Sequence, residues 1–394
     1  MRRMSSSPAA LALGGLVALA AAMGIGRFVY TPVLADMLDA GALNGAEAGY
    51  VAAANFAGYL AGALLAASPL LRGRRISWMF GALLASAATT AAMGLADGVT
   101  AFAVLRLAGG VASALVLVFA TAIVLDGLIV AGRGGLSALH FAGVGAGIAI
   151  SALLVHALKG ADLWQAQWFA SGGLALAAFV AALLLVHESV PNAARSSFSA
   201  GGLAADRRLV ALMLAYGLVG FGYVITATFI IAIVRANPAV VHHETAVWLV
   251  VGFSAAPSVW LWGRLARRIG VLTAFAAACV VEAIGVLASV ASAGAAGAYV
   301  AAVFLGGTFM GLTAMGLAAA RELPVCGGAQ RDGRRVVALM TAGFGVGQMF
   351  GPALAGALFT HTGTYTAASA LAAGGLVVSA LLAAWLSRDL ARAQ

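Results

Sequence analysis

Residues 9–35 read AALALGGLVALAAAMGIGRFVYTPVLA, a run that carries a single charge, Arg27. A bilayer core takes about 20 consecutive apolar residues in helical form, so this run is long enough to cross one. A guanidinium near its middle then needs a physical reason, because one that faces lipid costs at least ~2.5–3.5 kcal/mol. The rest of the chain repeats the pattern. Of its 394 residues, 63% are hydrophobic and 9% charged, against about a quarter charged in a soluble domain. A water-soluble fold of this composition would have no polar skin, which excludes soluble enzymes and DNA-binding proteins. The fold class expected is an all-α membrane protein.

Apolar runs predict spans over 9–35, 46–69, 76–96, 99–125, 135–158 and 163–186, then over 209–235, 245–262, 271–292, 297–320, 336–360 and 365–386. Between the two sets lies His187-Glu-Ser-Val-Pro-Asn-Ala-Ala-Arg195-Ser-Ser-Phe-Ser-Ala-Gly-Gly, whose Ser, Gly and Pro content marks a connector. The expected organisation is a six-helix half over 1–187, a cytoplasmic linker over 188–208 and a second half over 209–394. Met1-Arg-Arg ahead of an apolar run imitates a secretory signal, but the run continues through Arg27 to Leu34, so it reads as a retained first span.

Charge placement tests the count of twelve. With the N-terminus in the cytoplasm, eighteen of the 22 basic residues fall in cytoplasmic segments. Lys159 and Arg235 fall outside, and Arg27 and Arg106 remain within spans. This is the asymmetry of the positive-inside rule. It accounts for the net charge of +9 without a polyanionic partner, so no nucleic-acid partner is expected. Cys279 lies in an apolar run and Cys326 in a polar loop, which argues against a disulfide.

An internal repeat divides the chain in the same place. Gly24-Ile-Gly26 aligns with Gly220-Phe-Gly222 at a shift of 196, and Gly109-Gly110 with Gly306-Gly307 at 197. Arg-Gly73-Arg-Arg aligns with Arg-Arg-Ile-Gly270 at 197, and Gly143-Val-Gly145-Ala-Gly147 with Gly343-Phe-Gly345-Val-Gly347 at 200. Glycine is common here, but four matches in order at nearly one shift imply parallel repeats about an axis along the membrane normal.

On these residues, the chain resembles the major facilitator superfamily. Gly24-Ile-Gly-Arg27-Phe-Val-Tyr30-Thr-Pro32 and Gly49-Tyr-Val-Ala-Ala-Ala-Asn55-Phe-Ala-Gly58-Tyr-Leu-Ala-Gly62 look like its YbfB-like branch. The superfamily's loop motif Gly-x-x-x-Asp-Arg-x-Gly-Arg-Arg is met only by Gly73, Arg74 and Arg75; in the second half Gly263, Arg268 and Gly270 match and Arg267 replaces the acid. The fourth-span pattern Arg-x-x-x-Gly-x-x-x-Ala is met by Arg106, Gly110 and Ala114. The resemblance implies two pseudo-symmetric six-helix halves, alternating access around a central site, and proton or substrate gradients as the driving force. It also implies that Arg106 lines the cavity and takes part in proton coupling.

Several polar side chains within the spans are candidate site residues. Arg27, with Met23, Tyr30 and Thr31 on its helical face, is a cation flanked by hydroxyls and suited to a carboxylate or phosphate; the alternative is an arginine that bonds helix carbonyls. The same choice holds for Arg106. Asp36 is about half a turn out of phase with Arg27 and is not its partner within the helix. Two intramembrane cations without an obvious acid opposite them favour an anionic substrate. Asn55, Tyr59, Tyr223, Thr226 and Gln348 complete the binding candidates. The repeat sets the first span against the seventh, which raises Tyr223 and Thr226. Glu282, the one acid deep in a span, is a candidate proton carrier with Arg106. Arg74, Arg75, Asp126 and Arg268 form the expected cytoplasmic gate, with Asp126 latching to Arg74 or Arg75. His140 could titrate near neutrality. His242-His243-Glu244 reads as a solvated loop rather than a metal site.

The sequence thus predicts a secondary transporter of a small solute in the plasma (inner) membrane, both termini cytoplasmic, a monomer in the bilayer, without cofactor or metal. A transport-inactive sensor of the same fold, or an integral-membrane enzyme, are the alternatives. An enzyme would need a cluster of acids, histidines or a nucleophile–base pair at one depth, and the six histidines are scattered.

Overall fold

The computed structural model describes residues 7–68, 70–71, 73–187, 207–291, 294–323 and 333–393. The first span is broken. Helix α1 (Pro8–Leu19) starts on a Ser7 cap, whose Oγ accepts the Ala10 N–H at 3.1 Å, with Pro8 in the first turn. It widens into a π-helical turn, Ala20–Ile25, and resumes as α2 (Tyr30–Asp39). The break follows from chemistry at its far side. Pro32 has no N–H to give, and the Thr31 N–H bonds the Phe28 carbonyl at 3.2 Å rather than that of Arg27. The carbonyl of Arg27 is thereby released from the helical ladder, and that of Gly26 lies just ahead of α2, which starts at Tyr30.

The remaining helices of the first half are α3 (Gly45–Ala67), α4 (Arg75–Ala92), α5 (Gly98–Val130), α6 (Ser137–Ala157) and α7 (Trp164–Leu185). A reciprocal capping box fixes the start of α3: Asn44 accepts from the Glu47 N–H while the Glu47 carboxylate accepts from the Asn44 N–H. The second half holds α8 (Arg207–Arg235), α9 (Glu244–Ala255), α10 (Ser258–Ile269), α11 (Val271–Ala291), α12 (Ala295–Glu322), α13 (Gly333–Thr362) and α14 (Thr366–Ala393).

Among the described residues ten helices are long and apolar enough to cross a membrane. The pair α9 and α10, bent by 45° at Ala256 and Pro257, makes an eleventh span. The third predicted span is α4, whose 18 residues reach about 27 Å, just short of a hydrocarbon core. The layout is compatible with twelve. Of the expected linker, 188–208, only Arg207 and Arg208 lie within the described residues, and they begin α8. Cys326 lies outside the described residues, and Cys279 is a buried free thiol.

The halves meet along three seams: α3 on α13, α6 on α9 and α2 on α8. The glycine stripe of the fifth span divides its labour. A side chain on Gly147 would collide with the Ala20 carbonyl, so that face is committed to the π turn within its own half. Gly145, on another face, crosses the seam: its Cβ would run into the Gly252 carbonyl. The bundle has one end that carries both termini and a distal end made by the 36–44, 156–163 and 235–244 segments.

Candidate functional site

At the distal end, charged side chains from the two halves close on each other. Arg235, at the end of α8, donates from Nη1 to Asp36 at 2.6 Å and to Asp39 at 2.8 Å, and from Nε to Glu244 at 2.8 Å. Lys159 pairs with the other oxygen of Glu244. Asp36 also accepts from Gln167 Nε2 at 2.5 Å and from the Gly160 N–H at 3.4 Å. Asp36 and Glu244 are buried, and each of their carboxyl oxygens has a cation or a donor beside it. Nearer the middle, Thr31 Oγ1 donates to the Ala227 carbonyl at 2.6 Å. Thr31 with Ala227 and Asp39 with Arg235 are each 196 positions apart, the shift that aligns Gly24 with Gly220. Repeat mates that touch must lie at the pseudo-symmetry axis.

Beneath this clasp sits Arg27, only 4% exposed. Its guanidinium carbon lies 4.1 Å from the centre of the Tyr59 ring, 4.7 Å from that of Phe56 and 5.5 Å from that of Phe28. Such cation–π contacts contribute roughly 0.5–2 kcal/mol each. Arg27 Nε and Nη2 are buried and have no hydrogen-bond partner. These two donors share one edge of the guanidinium, the fork that takes both oxygens of a carboxylate in parallel.

Arg106 is also 4% exposed, but both of its Nη groups are occupied and only Nε lacks a partner. Nη1 donates to the Gly26 carbonyl and Nη2 to the Arg27 carbonyl, each at 2.8 Å, so it meets two acceptors at the break in the first span. Its own carbonyl takes a 2.8 Å bond from Asn55 Nδ2, and its guanidinium lies 5.0 Å from the Tyr30 ring. Tyr30 donates its hydroxyl to the Ala48 carbonyl at 2.9 Å. Arg106, Asn55 and Tyr30 thus brace the segment that presents Arg27.

The second half contributes an aromatic wall. Phe309 meets Phe28 edge to face across the seam, 5.7 Å between centres and 70° between planes. Tyr223 stacks on Phe309 at 5.7 Å and on Phe344 at 5.8 Å. Gln348 Nε2 donates to the Tyr223 hydroxyl and leaves its Oε1 unpartnered; Thr226 Oγ1 is buried and unpartnered too. Tyr216, on the same helix, donates its hydroxyl to the Thr313 carbonyl at 3.0 Å. Glu282, on α11, which packs against α8, is fully buried with both carboxyl oxygens unpartnered.

At the end that carries the termini, Arg75 and Asp126 pair at 2.7 Å. Both belong to the first half, so the bond braces α4 on α5 without crossing a seam. Arg74 and Arg268 are exposed and have no ion-pair partner among the described residues. His140 is buried between helices, not solvated, with Nε2 at 3.0 Å from Thr121 Oγ1. The 242–244 run splits among partners: His243 Nδ1 lies 2.9 Å from the Tyr299 hydroxyl, and Glu244 belongs to the clasp.

The structure gathers Arg27, Tyr59, Tyr223 and Gln348 about the central seam, and places Glu282 on α11, the helix behind α8. Sequence reading overlooked the clasp of Asp36, Asp39, Lys159, Gln167, Arg235 and Glu244. The repeat shift of 196 was the signal that could have paired Asp39 with Arg235.

A family model described as "Uncharacterised MFS-type transporter YbfB" matches residues 19–384. Solved structures share the fold. A substituted form of the nucleoside transporter NupG superposes with a TM-score of 0.74 at 17% identity, covering 96% of this chain and 99% of that one. Unsubstituted NupG gives 0.67 at 18% identity, covering 96% and 98%. A bacterial homologue of the human lysosomal transporter Spinster, inward-facing and unoccupied, gives 0.65 at 16% identity, covering 97% and 96%. Among curated proteins, none matches the sequence.

Proposed function

The chain belongs to the YbfB-type family of major facilitator superfamily transporters, and from that premise we propose that it carries a small organic anion across the plasma (inner) membrane by alternating access, coupled to protons. It is an integral membrane transporter; the substrate, the coupling and the orientation are the proposal. The observation that carries it is the free Nε–Nη2 edge of Arg27. A guanidinium removed from water with two donors unmatched lacks several kcal/mol of solvation. A carboxylate on the fork would replace that loss.

The other parts take roles around this anchor. Arg106 holds the broken span so that the fork faces the seam, and Tyr59, Tyr223, Thr226 and Gln348 line the rest of the site. Glu282, an acid buried within a span without a partner, is the proposed proton carrier. Charge asymmetry in the loops supports cytoplasmic termini, so the distal clasp is the outer gate, closed in this conformation, and Arg75 with Asp126 steadies the inner corner.

The test is a thermal-shift series on the purified chain with monovalent organic anions, repeated on Arg27→Met. The expected result is stabilisation of the wild type that Arg27→Met loses. Equal stabilisation of both proteins by the same anion would remove Arg27 as the anchor.

A further inference from the structure

Helix α10 carries Arg264, Arg267 and Arg268 in its last two turns, and no acid. Just beyond it, Thr273 Oγ1 lies 3.2 Å from Ser387 Oγ, near the C-terminus, so these charges sit at the end of the bundle that carries the termini. The rotation of α10 is fixed from behind. Trp262 is buried and donates from Nε1 to the Gly307 carbonyl at 2.7 Å, and Ser258 donates to the same carbonyl at 2.9 Å. The opposite face therefore points out of the bundle. Trp260 and Leu261 are 52% and 51% exposed, and Arg264 and Arg268 follow Trp260 at one and two turns, both exposed. With Leu265 they line a shallow groove along the helix. The Arg264 guanidinium carbon lies 5.8 Å from the centre of the Trp260 ring.

No acid lines this groove, and neither arginine in it has an ion-pair partner among the described residues. Arg267 lines a separate groove, which it shares with Glu322. The two ends of the first groove ask for different chemistry. Its arginines offer forked donors that fit the free oxygens of a phosphodiester, and its other end is indole and leucine at the depth where chains enter the bilayer. A free phosphate would leave the apolar end bare, and a zwitterionic lipid would set its own ammonium against two guanidiniums. We propose that the groove of Trp260, Leu261, Arg264 and Arg268 binds an anionic phospholipid, phosphate on the arginines and acyl chain over the tryptophan.

The test is fluorescence anisotropy of acyl-labelled phosphatidylglycerol on the purified full chain in neutral detergent. The competitors are unlabelled phosphatidylglycerol, phosphatidylcholine and inorganic phosphate. An arginine beside an anionic headgroup strengthens binding about fivefold, so wild type should prefer phosphatidylglycerol over phosphatidylcholine by about 25-fold. Arg268→Gln should cut the preference to about fivefold, and Arg264→Gln with Arg268→Gln to within about twofold of none. Arg133→Gln with Arg392→Gln, both exposed at the same end, removes the same charge and should leave the preference intact. Equal competition by the two lipids in wild type would overturn the proposal. So would an equal loss in the Arg133 and Arg392 variant, which would make the effect one of net charge. Inorganic phosphate at about 10 mM, a concentration at which only weak sites fill, should displace nothing; full displacement would assign the groove to a free anion instead.

Discussion

Removal of one side chain should open the distal end. In Arg235→Ala, Asp36 and Glu244 lose a shared cation while they remain buried, at 3% and 6% side-chain exposure. Breaking a buried pair by deleting one partner costs about 3–5 kcal/mol, because the charge left behind is uncompensated. Asp36 keeps Gln167 and the Gly160 N–H, and Glu244 keeps Lys159, so the low end applies. Asp39 is 56% exposed on its side chain, and its loss adds little. About 3 kcal/mol is a change of roughly 150-fold in a two-state ratio. The penalty falls on the state in which the clasp is shut, since the cluster joins Asp36, Asp39, Lys159 and Gln167 of one half to Arg235 and Glu244 of the other. The assay is a pulsed-dipolar distance measurement between spin labels at Asp162→Cys and Ala239→Cys, both exposed positions on opposite halves, with Cys279 and Cys326 replaced by alanine. Wild type should give a dominant short distance, and Arg235→Ala a dominant longer one. Should Arg235→Ala prove too unstable, Asp39→Asn should move the same ratio in the same direction by less than about fivefold. Superimposable distributions for wild type and Arg235→Ala would refute the reasoning.

Three further outcomes derive from particular contacts. Arg106→Met strands the Gly26 and Arg27 carbonyls and should cost about 3 kcal/mol in detergent, read as a lowered melting temperature; an unchanged melt would mean that other groups meet those carbonyls. Glu282→Gln should abolish accumulation driven by a pH gradient but leave exchange between equal pools intact, and pH-driven accumulation at the wild-type rate would assign the proton elsewhere. Gly145→Leu places a side chain where the Gly252 carbonyl approaches and should hold the α6–α9 seam apart, detected as loss of the short spin-label distance; retention of that distance would show that the seam yields without separating.

Much of the architecture was legible because lipid imposes a simple rule, and apolar length with arginine placement expresses it directly. The shift of 196–200 residues identifies the halves from sequence alone. The third and eighth spans were less legible for a physical reason: Trp78, Thr89 and Thr90 dilute α4, and Pro257 divides the eighth span into two short helices. The contrast between Arg27 and Arg106 was not legible at all. Both are single arginines in apolar runs, and what separates them is the backbone break at Gly26 and Arg27, which supplies one with acceptors and leaves the other's fork empty. Pro32 hinted at the break, but neither its π turn nor its partner 80 residues away can be read from local pattern. The Arg75–Asp126 bond was foreseen as a pair, and the expected boundary at residue 187 already places both members in the same half.

The central claim is that the free fork of Arg27 holds the anion that moves. The measurement that meets it most directly is exchange, across proteoliposomes containing wild type, Arg27→Lys or Arg27→Met, of the labelled monovalent organic anion that stabilises the wild type most in the thermal-shift series. A lysine keeps the charge but not the two-donor edge, so the account predicts full exchange in wild type, slow exchange in Arg27→Lys and a loss of about 100-fold or more in Arg27→Met, on the order of 2.7 kcal/mol. Exchange by Arg27→Met at the wild-type rate would contradict it.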